Sequence, residues 1–291
     1  MPQSGMKTHR PTLIGFSAIL LWSLLALLTI FASPVPPLQL NAMTFGIGAL
    51  VGLIWTARRG FAVLRGVPLR VYAFGTAGLF GYHLLYFTAF RLGPDASTGL
   101  IAYLWPLLIV LMSGLLPGAR LTARPIIGAA LGLIGAAVIV LQAPSTGAPI
   151  AALALAFLCA LVWSSYSVAS AFVREVPTEA VTVYCAATAV LSALAHFGFE
   201  QTQWPAGALG WGSVIALGLG PVGIAFFTWD IGMKRGGIQF LGAASYAAPL
   251  LSTLALIAAG ISTATPARAL AALLITAGAA LAASAAKPSG D

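Results

Sequence analysis

Charged residues are scarce in this 291-residue chain. Only 7% of the residues are Asp, Glu, Lys or Arg, whereas 60% are hydrophobic. A soluble domain carries about a quarter charged residues, so this composition excludes a soluble globular protein. Most of the protein surface must instead face lipid.

Cysteine and histidine are also scarce. Cys159 and Cys185 each lie within an apolar stretch, which indicates buried thiols rather than a disulfide framework or a metal site. An intramembrane enzyme would need a nucleophile with a base, paired aspartates or a metal motif. The three histidines are His9, His83 and His196, and no carboxylate lies near His83. We therefore predict no enzyme, no metal and no cofactor.

Long apolar runs alternate with short polar breaks along the chain. A membrane helix needs roughly 20 apolar residues, and lipid permits only helices for runs of this kind. Ten spans are predicted, at 12–32, 37–57, 69–91, 95–116, 124–142, 149–171, 178–199, 210–233, 237–259 and 267–285. The first run is longer than the core of a signal peptide, so we predict that it is retained as a membrane helix.

The net charge of +8 is explained by membrane topology. The basic residues form no run that would suggest nucleic-acid binding. If the N-terminus is cytoplasmic, only Arg91 and Arg268 among the 14 Lys and Arg residues fall in outer loops. Because positively charged loops stay in the cytoplasm, both termini are predicted to be cytoplasmic, which requires an even number of spans.

The two halves of the chain resemble each other. Residues 75–111 align without gaps on 218–254, at an offset of 143. The matched pairs include Gly75/Gly218, Tyr103/Tyr246, Pro106/Pro249 and, at an offset of 141, Trp22/Trp163. The Tyr-x-x-Pro and Trp-Ser matches are much less common by chance than matches among Ala, Leu and Gly.

This repetition predicts an all-α membrane protein made of two five-helix repeats, at 12–142 and 149–285. Because five is an odd number, the second repeat must be inverted relative to the first. Inverted repeats are typical of secondary transporters, which bind substrate near the bilayer midplane at the repeat interface. By analogy with this architecture, the chain is expected to be a transporter.

Particular segments resemble a known family. The run GLIAYLWPLLIVLMSGLLPGARLTARPIIGAALGLIGAAVIV (99–140) resembles the end of an EamA repeat of the drug/metabolite transporter superfamily. The run SYAAPLLSTLALIAAG (245–260) resembles its second copy, and the Trp-Ser pairs of spans 1 and 6 resemble the start of each repeat. One departure is Gly118-Ala119, where many members carry Gly-Glu.

Within that superfamily, the YLWP segment (103–106) and the mid-membrane aromatic residues are similar to the YddG-type aromatic amino acid exporters. This resemblance implies export of small organic solutes, most readily aromatic amino acids, across the inner membrane of a bacterial cell.

Aromatic residues near the centres of spans should point inward, because a lipid-facing phenol or indole at that depth has no hydrogen-bond partner. Together with His83 they predict a central cavity that binds a planar or apolar solute, although rings that only fill the bundle are the alternative. The predicted cavity residues are Trp22, Tyr82, His83, Tyr86, Tyr103, Trp105, Trp163 and Tyr246. Aromatic residues near span ends are predicted to lie at the lipid interface, and these are Trp55, Tyr72, Trp204, Trp211 and Trp229.

His83 is the only titratable side chain near a span centre. It could bind substrate or carry a coupling proton, and a structural role is an equal alternative. Asp230 and Lys234, four residues apart, share a helix face and predict an interfacial ion pair, with a gate or a proton site as the alternative. No carboxylate lies deep in a span, so facilitated export is a simpler hypothesis than proton coupling.

Proline and glycine interrupt matched spans. Pro106 and Pro249 each remove a backbone donor, and Gly78 and Pro221 loosen spans 3 and 8. Interrupted spans at corresponding positions point to a binding site and its hinges, so these four residues are predicted to form hinges or gates. Close helix packing is the alternative for the lone glycines.

A carrier of the same fold for another metabolite, a drug or a lipid-linked solute is the main alternative function. A nucleotide-sugar carrier would present inward Lys or Arg to phosphates, and none lies at mid-depth. A channel is less expected because no selectivity-filter signature is present. The expected partners are a small-molecule substrate and the lipid bilayer, without nucleic acid. A monomer is the working expectation, although the sequence does not give the oligomeric state.

Overall fold

The computed structural model describes residues 4–93, 96–142, 147–261 and 263–284. Position 285, the end of the second predicted repeat, lies outside the described residues. All regular structure within these ranges is helical. The α-helices are α1 (Ser4–Trp22), α2 (Leu25–Phe31), α3 (Pro37–Arg59), α4 (Leu69–Leu92), α5 (Ala96–Ala102), α6 (Trp105–Ser113), α7 (Ala123–Val140), α8 (Ile150–Ala169), α9 (Ala180–Phe199), α10 (Gly207–Leu219), α11 (Ala225–Arg235), α12 (Ile238–Ala244), α13 (Ala247–Ala258) and α14 (Pro266–Ser284).

Eight helical stretches among the described residues are long and apolar enough to cross a membrane. They are Arg10–Phe31, Pro37–Arg59, Ala123–Val140, Ile150–Val173, Ala180–Phe199, Gly207–Arg235, Ile238–Ala258 and Pro266–Ser284. The remaining two predicted spans correspond to α4 and to Ser97–Ser113. α4 has 24 residues, but its glycines, tyrosines and histidine lower its hydropathy, and Ser97–Ser113 is apolar but shorter. The chain is therefore a multi-pass membrane protein.

Two helix breaks occur at matched positions in the halves. Residues 103–104 separate α5 from α6, and residues 245–246 separate α12 from α13. Pro106 and Pro249 follow within about one turn, and neither has an amide hydrogen to donate to the carbonyl four residues earlier. The carbonyl of Ala102, at the end of α5, therefore lacks the bond that a continuous helix would give it.

A third irregular segment joins α10 to α11. Residues Gly220–Ile224 form a π-helical turn, a feature that often marks functional sites. The break between α1 and α2 lies beside it, because the indole N–H of Trp22 donates a hydrogen bond to the Pro221 carbonyl at 2.9 Å. The two interruptions thus stabilise each other.

Helices of the two halves pack as antiparallel pairs: α1 with α11, α3 with α9, α4 with α8 and α7 with α14. Small residues permit the close approach. In the last pair, a Cβ on Gly128 would lie 3.1 Å from Ala282, and a Cβ on Gly135 would lie 3.0 Å from the Ala271 carbonyl. Gly128 and Gly135 therefore allow close contact between α7 and α14.

A carboxylate from the second half begins α3. The amides of Leu38 and Gln39 donate to Glu200 at 3.0 and 3.1 Å, and His196 Nδ1 lies 2.9 Å from the same carboxylate. Helix N-termini favour a negative charge and an acceptor for their free amides. Glu200 supplies both, so it fixes α3 against the end of α9.

Glu200→Ala is expected to lower the free energy of unfolding by about 1–3 kcal/mol, because two buried amides lose their acceptor. Thermal unfolding of the purified protein in detergent would measure the loss. Glu175→Ala is the matched control, since Glu175 is exposed and should leave the melting temperature unchanged. Equal melting of both variants would contradict a stabilising role for Glu200.

Candidate functional site

A partly open cavity of about 240 Å³ lies inside the bundle. Its walls come from α1 and α2, α4, the α5–α6 break, α8, the π-helical turn with α11, and α13. It brings together seven of the eight predicted cavity residues: Trp22, Tyr82, His83, Tyr86, Tyr103, Trp105 and Trp163. None of the described residues that line it is charged. We refer to it as the central cavity.

Tyr246, the eighth predicted residue, does not line the central cavity. It is fully buried beside Gly132 of α7, where a Cβ would lie 2.5 Å from the phenol ring. Its hydroxyl accepts a hydrogen bond from the Leu107 amide at 3.3 Å. The close approach of α7 and this bond hold Tyr246 in a packed layer against α6.

The four predicted hinge residues lie in different environments. Pro221 lines the central cavity. Gly78 packs α4 onto α8, since a Cβ there would lie 2.5 Å from the Tyr166 ring. Pro106 and Pro249 are buried in the first turns of α6 and α13. The structure thus places one of the four at the cavity and three in packed positions.

Trp229 is not an interface residue as the sequence suggested. Its side chain is 1% exposed, its ring lies 5.0 Å from that of Trp22, and its indole N–H donates to Ser167 Oγ at 3.1 Å. The predicted span ended at residue 233, whereas α11 continues to Arg235. Trp229 therefore lies farther from the end of its helix than the sequence indicated. The repeat offset of 143 pairs it with Tyr86, a signal that could have identified it.

The rings of the cavity form one continuous cluster. Trp163 lies 5.7 Å from Trp22 and 5.4 Å from Tyr82, and it stacks on Trp229 at 6.2 Å. Tyr82 in turn stacks on Tyr86 at 5.9 Å. Such rings offer faces and edges that pack against a planar ligand, and their faces also attract a cation.

His83 contributes a defined polar atom. Its Nδ1 lies 2.7 Å from the Leu79 carbonyl, which can only accept a hydrogen bond, so Nδ1 carries the hydrogen. The neutral ring then offers Nε2 as an acceptor. The ring is held edge-on by Phe45 and Phe226, with centroids at 5.1 and 6.2 Å. Phe226, which the sequence did not single out as a site residue, also lines the central cavity.

A buried ion pair, formed by Asp230 and Lys234, lies between Trp229 and the end of α11 at Arg235. Lys234 Nζ lies 2.9 Å from Asp230 Oδ1, and both side chains are at most 2% exposed. Thr178 donates to Asp230 Oδ2 at 2.7 Å, and Lys234 donates to the Val176 carbonyl at 2.9 Å. The predicted pair is present, but it is buried rather than interfacial, because residues 176–178 cover it.

Comparison with known proteins identifies the family. Residues 10–141 match the EamA-like transporter family. The chain is 52% identical over 284 residues to the aromatic amino acid exporter YddG of Ancylobacter novellus, covering 95% of this chain and 98% of that protein. The chain belongs to the EamA-like transporter family. A solved crystal structure with 52% identity superposes on this transporter with a TM-score of 0.91, over 96% of this chain and 98% of that one.

More distant relatives carry the same name. The transporter is 26% identical to the aromatic amino acid exporter YddG of Salmonella typhimurium and 25% identical to that of Escherichia coli. Each alignment covers 85% of this chain and 88% of the relative. The predicted family and its YddG-type resemblance are confirmed, and the protein is a transporter rather than an enzyme.

Proposed function

We propose that this transporter exports aromatic amino acids across the inner membrane of a bacterial cell, by alternating access through the central cavity. The observation that carries the proposal is the convergence of seven predicted aromatic and histidine side chains on one uncharged, partly open cavity. The names of the relatives support the substrate class. The cavity forms within a single chain, which supports a monomer as the working unit.

The cavity chemistry suits a zwitterion with an aromatic side chain. The substrate ring would stack among Trp22, Tyr82 and Trp163. Its ammonium group would bind His83 Nε2, the indole faces and the Ala102 carbonyl, which receives no amide hydrogen from Pro106. Its carboxylate would accept hydrogen bonds from the tyrosine hydroxyls of the wall, which belong to Tyr82, Tyr86 and Tyr103. Trp105 completes the proposed binding set.

The proposed cycle uses ten spans in two inverted repeats, 12–142 and 149–285, with both termini in the cytoplasm. Antiparallel packing supports this arrangement, because the α1–α11 pair maps onto the α8–α4 pair when the halves are exchanged. Residues beside a two-fold axis must contact their own counterparts. Trp22 lies 5.7 Å from Trp163, and His83 lies 6.2 Å from Phe226. The family match over 10–141 supports the first repeat.

We further infer that this arrangement is open to the outside. The central cavity is lined by Trp22 of α1 and by Phe226 of α11. Each of these residues lies more than two helical turns from the basic end of its helix, which is Arg10 in α1 and Arg235 in α11. Trp229 and the Asp230–Lys234 pair lie between the cavity and Arg235. With the basic end in the cytoplasm, these groups close the cytoplasmic side.

A cysteine at position 246 tests the inverted cycle. Exchange of the repeats would give Tyr246 the environment that Tyr103 has now, but on the cytoplasmic side. In a transporting membrane, Tyr103→Cys is expected to react with an impermeant maleimide added outside, and Tyr246→Cys with the reagent added inside. Labelling of right-side-out and inside-out vesicles would measure both.

Two controls set the background of this labelling experiment. Ala129→Cys replaces a fully buried residue of α7 and should stay unreactive from both sides. The native Cys159 and Cys185 are also fully buried, so the unmodified protein should label slowly. A Tyr246→Cys variant as inert as Ala129→Cys, while Tyr103→Cys labels, would refute the exchange of repeats.

Liposome flux tests the substrate. The reconstituted transporter is expected to move labelled phenylalanine, tryptophan and tyrosine down their gradients, with saturation and mutual competition. An imposed proton gradient should not change the rate, because none of the described residues that line the central cavity carries a carboxylate. Absent amino acid flux together with transport of another metabolite or of a lipid head group would assign the protein to a different substrate class.

A further inference from the structure

A second cavity, of about 260 Å³, lies at the basic end of the bundle. α1, α3, α11 and the start of α9 form its walls. Its charged lining residues are Arg10, Arg59, Glu179 and Arg235, and its apolar wall includes Ile14, Trp55 and Ile231. Along α11, Trp229 and Asp230 lie between Phe226 of the central cavity and Ile231 of this second cavity. We refer to it as the inner pocket.

Glu179 is the unusual residue of the inner pocket. Its side chain is 1% exposed, and Oε1 accepts a hydrogen bond from Arg59 Nη1 at 2.7 Å. The second oxygen, Oε2, is buried and has no hydrogen-bond partner in the described part of the chain. A buried carboxylate oxygen without a donor is unfavourable, so this oxygen marks a place for a ligand that carries a hydrogen-bond donor.

The other walls complement the rest of an amino acid. Arg10 and Arg235 are exposed at the rim, where a guanidinium group can bind a carboxylate through two parallel hydrogen bonds. Trp55 packs against Phe227 with centroids at 5.3 Å, and its indole also lines the pocket. The pocket therefore combines an ammonium acceptor, carboxylate donors and an aromatic wall.

We propose that the inner pocket is an entry site, which binds the ammonium group of a cytoplasmic aromatic amino acid at Glu179 and its carboxylate at Arg10 or Arg235. The proposal rests on the proposed export of aromatic amino acids. An anionic lipid head group, such as phosphatidylglycerol, would suit the arginines, but its negative charge would be repelled by Glu179. The zwitterion satisfies both signs of charge.

The position of Glu179 connects this site to the closure of the cytoplasmic side. Glu179 follows Thr178, whose hydroxyl binds Asp230 at 2.7 Å. A ligand bound at Glu179 thus lies next to the segment that covers the buried ion pair. Entry of substrate and opening of this segment would therefore involve adjacent residues.

Substrate protection of two reporter cysteines tests the site. Ile231→Cys lies in the inner pocket, and Ser252→Cys lies in the central cavity. At a phenylalanine concentration about ten times Kd, occupancy should slow maleimide alkylation of each cysteine about tenfold. Adding Glu179→Gln is expected to abolish protection at position 231 and to preserve it at position 252. N-acetylphenylalanine, which lacks the ammonium group, should not protect position 231.

Matched variants separate the site from general effects. Glu175→Gln removes an exposed carboxylate outside the pocket and should preserve protection at both cysteines. Arg235→Gln should weaken protection at position 231 only. This variant tests the entry site independently if Glu179→Gln fails to fold.

The outcomes distinguish the two proposals. Loss of protection at position 252 in the otherwise unmodified transporter would overturn the central-cavity function. Protection at position 252 without protection at position 231 would overturn the entry site alone. Full protection at position 231 despite Glu179→Gln would also overturn the entry site. The same conclusion would follow if inorganic phosphate or dioctanoyl phosphatidylglycerol protected position 231 and phenylalanine did not.

Discussion

Lys234→Ala is expected to lower the free energy of unfolding by about 3–5 kcal/mol, because it leaves a buried carboxylate without its counterion. Asp230 and Lys234 are at most 2% exposed and lie 2.9 Å apart. The substitution also removes the donor to the Val176 carbonyl, so the segment that covers the pair keeps only the Thr178–Asp230 hydrogen bond to this ion pair. Thermal unfolding in detergent would measure the destabilisation.

Removing both charges should be far milder than removing one. Asp230→Leu combined with Lys234→Met replaces the pair with apolar side chains of similar volume, and such replacements are often neutral or stabilising. Arg58→Ala is the matched surface control, since Arg58 is exposed near the same end of the bundle. The interpretation is wrong if Lys234→Ala has the same melting temperature as the Arg58→Ala control. It is also wrong if the double variant is less stable than Lys234→Ala.

Composition and hydropathy predicted the membrane architecture because lipid imposes a simple rule on the backbone. Within the described residues the long apolar runs are helical, but four predicted spans are interrupted, between α1 and α2, α5 and α6, α10 and α11, and α12 and α13. The matched prolines at 106 and 249 lie just after two of these breaks. The π-helical turn at Gly220–Ile224 was not predicted. Gly and Pro indicate an interruption there, but they do not specify its hydrogen-bond pattern.

The cavity residues could be predicted as a group because depth and polarity restrict where an indole or phenol can lie. Tyr246 and Trp229 show the limit of that reasoning. The repeat match treats Tyr103 and Tyr246 alike, but the structure places Tyr103 at the central cavity and Tyr246 in a packed layer. Trp229 lies near the predicted end of its span, but α11 continues to Arg235 and the ring packs against Trp22 and Trp163.

Contacts between segments that lie far apart in the chain could not be predicted from the sequence. The spacing of Asp230 and Lys234 predicted their pairing, but their burial depends on residues 176–178, which lie more than 50 positions earlier. The bond between Arg59 and Glu179 joins residues 120 positions apart. The inner pocket exists only because these segments meet, and no local pattern in the chain encodes that meeting.

Trp163→Ala is expected to reduce phenylalanine flux about tenfold or more. Trp163 contacts the rings of Trp22, Tyr82 and Trp229, so its loss removes both a stacking surface for substrate and the support of its neighbours. Each aromatic contact contributes about 0.5–1.5 kcal/mol beyond area burial, and a loss of 1.4 kcal/mol is a tenfold change in affinity. Initial rates of labelled phenylalanine uptake into liposomes would measure the effect.

Loss of the site must be separated from loss of the fold, because truncating a buried tryptophan itself costs about 3–5 kcal/mol. Trp163→Phe keeps a ring in place and should retain most of the flux. Trp211→Ala removes a half-exposed indole that stacks on Trp204, and it should leave the flux unchanged. Phenylalanine should raise the melting temperature of the unmodified transporter by mass action but not that of Trp163→Ala. Flux and ligand stabilisation that both survive Trp163→Ala would mean that the ring only fills the bundle and that substrate crosses elsewhere.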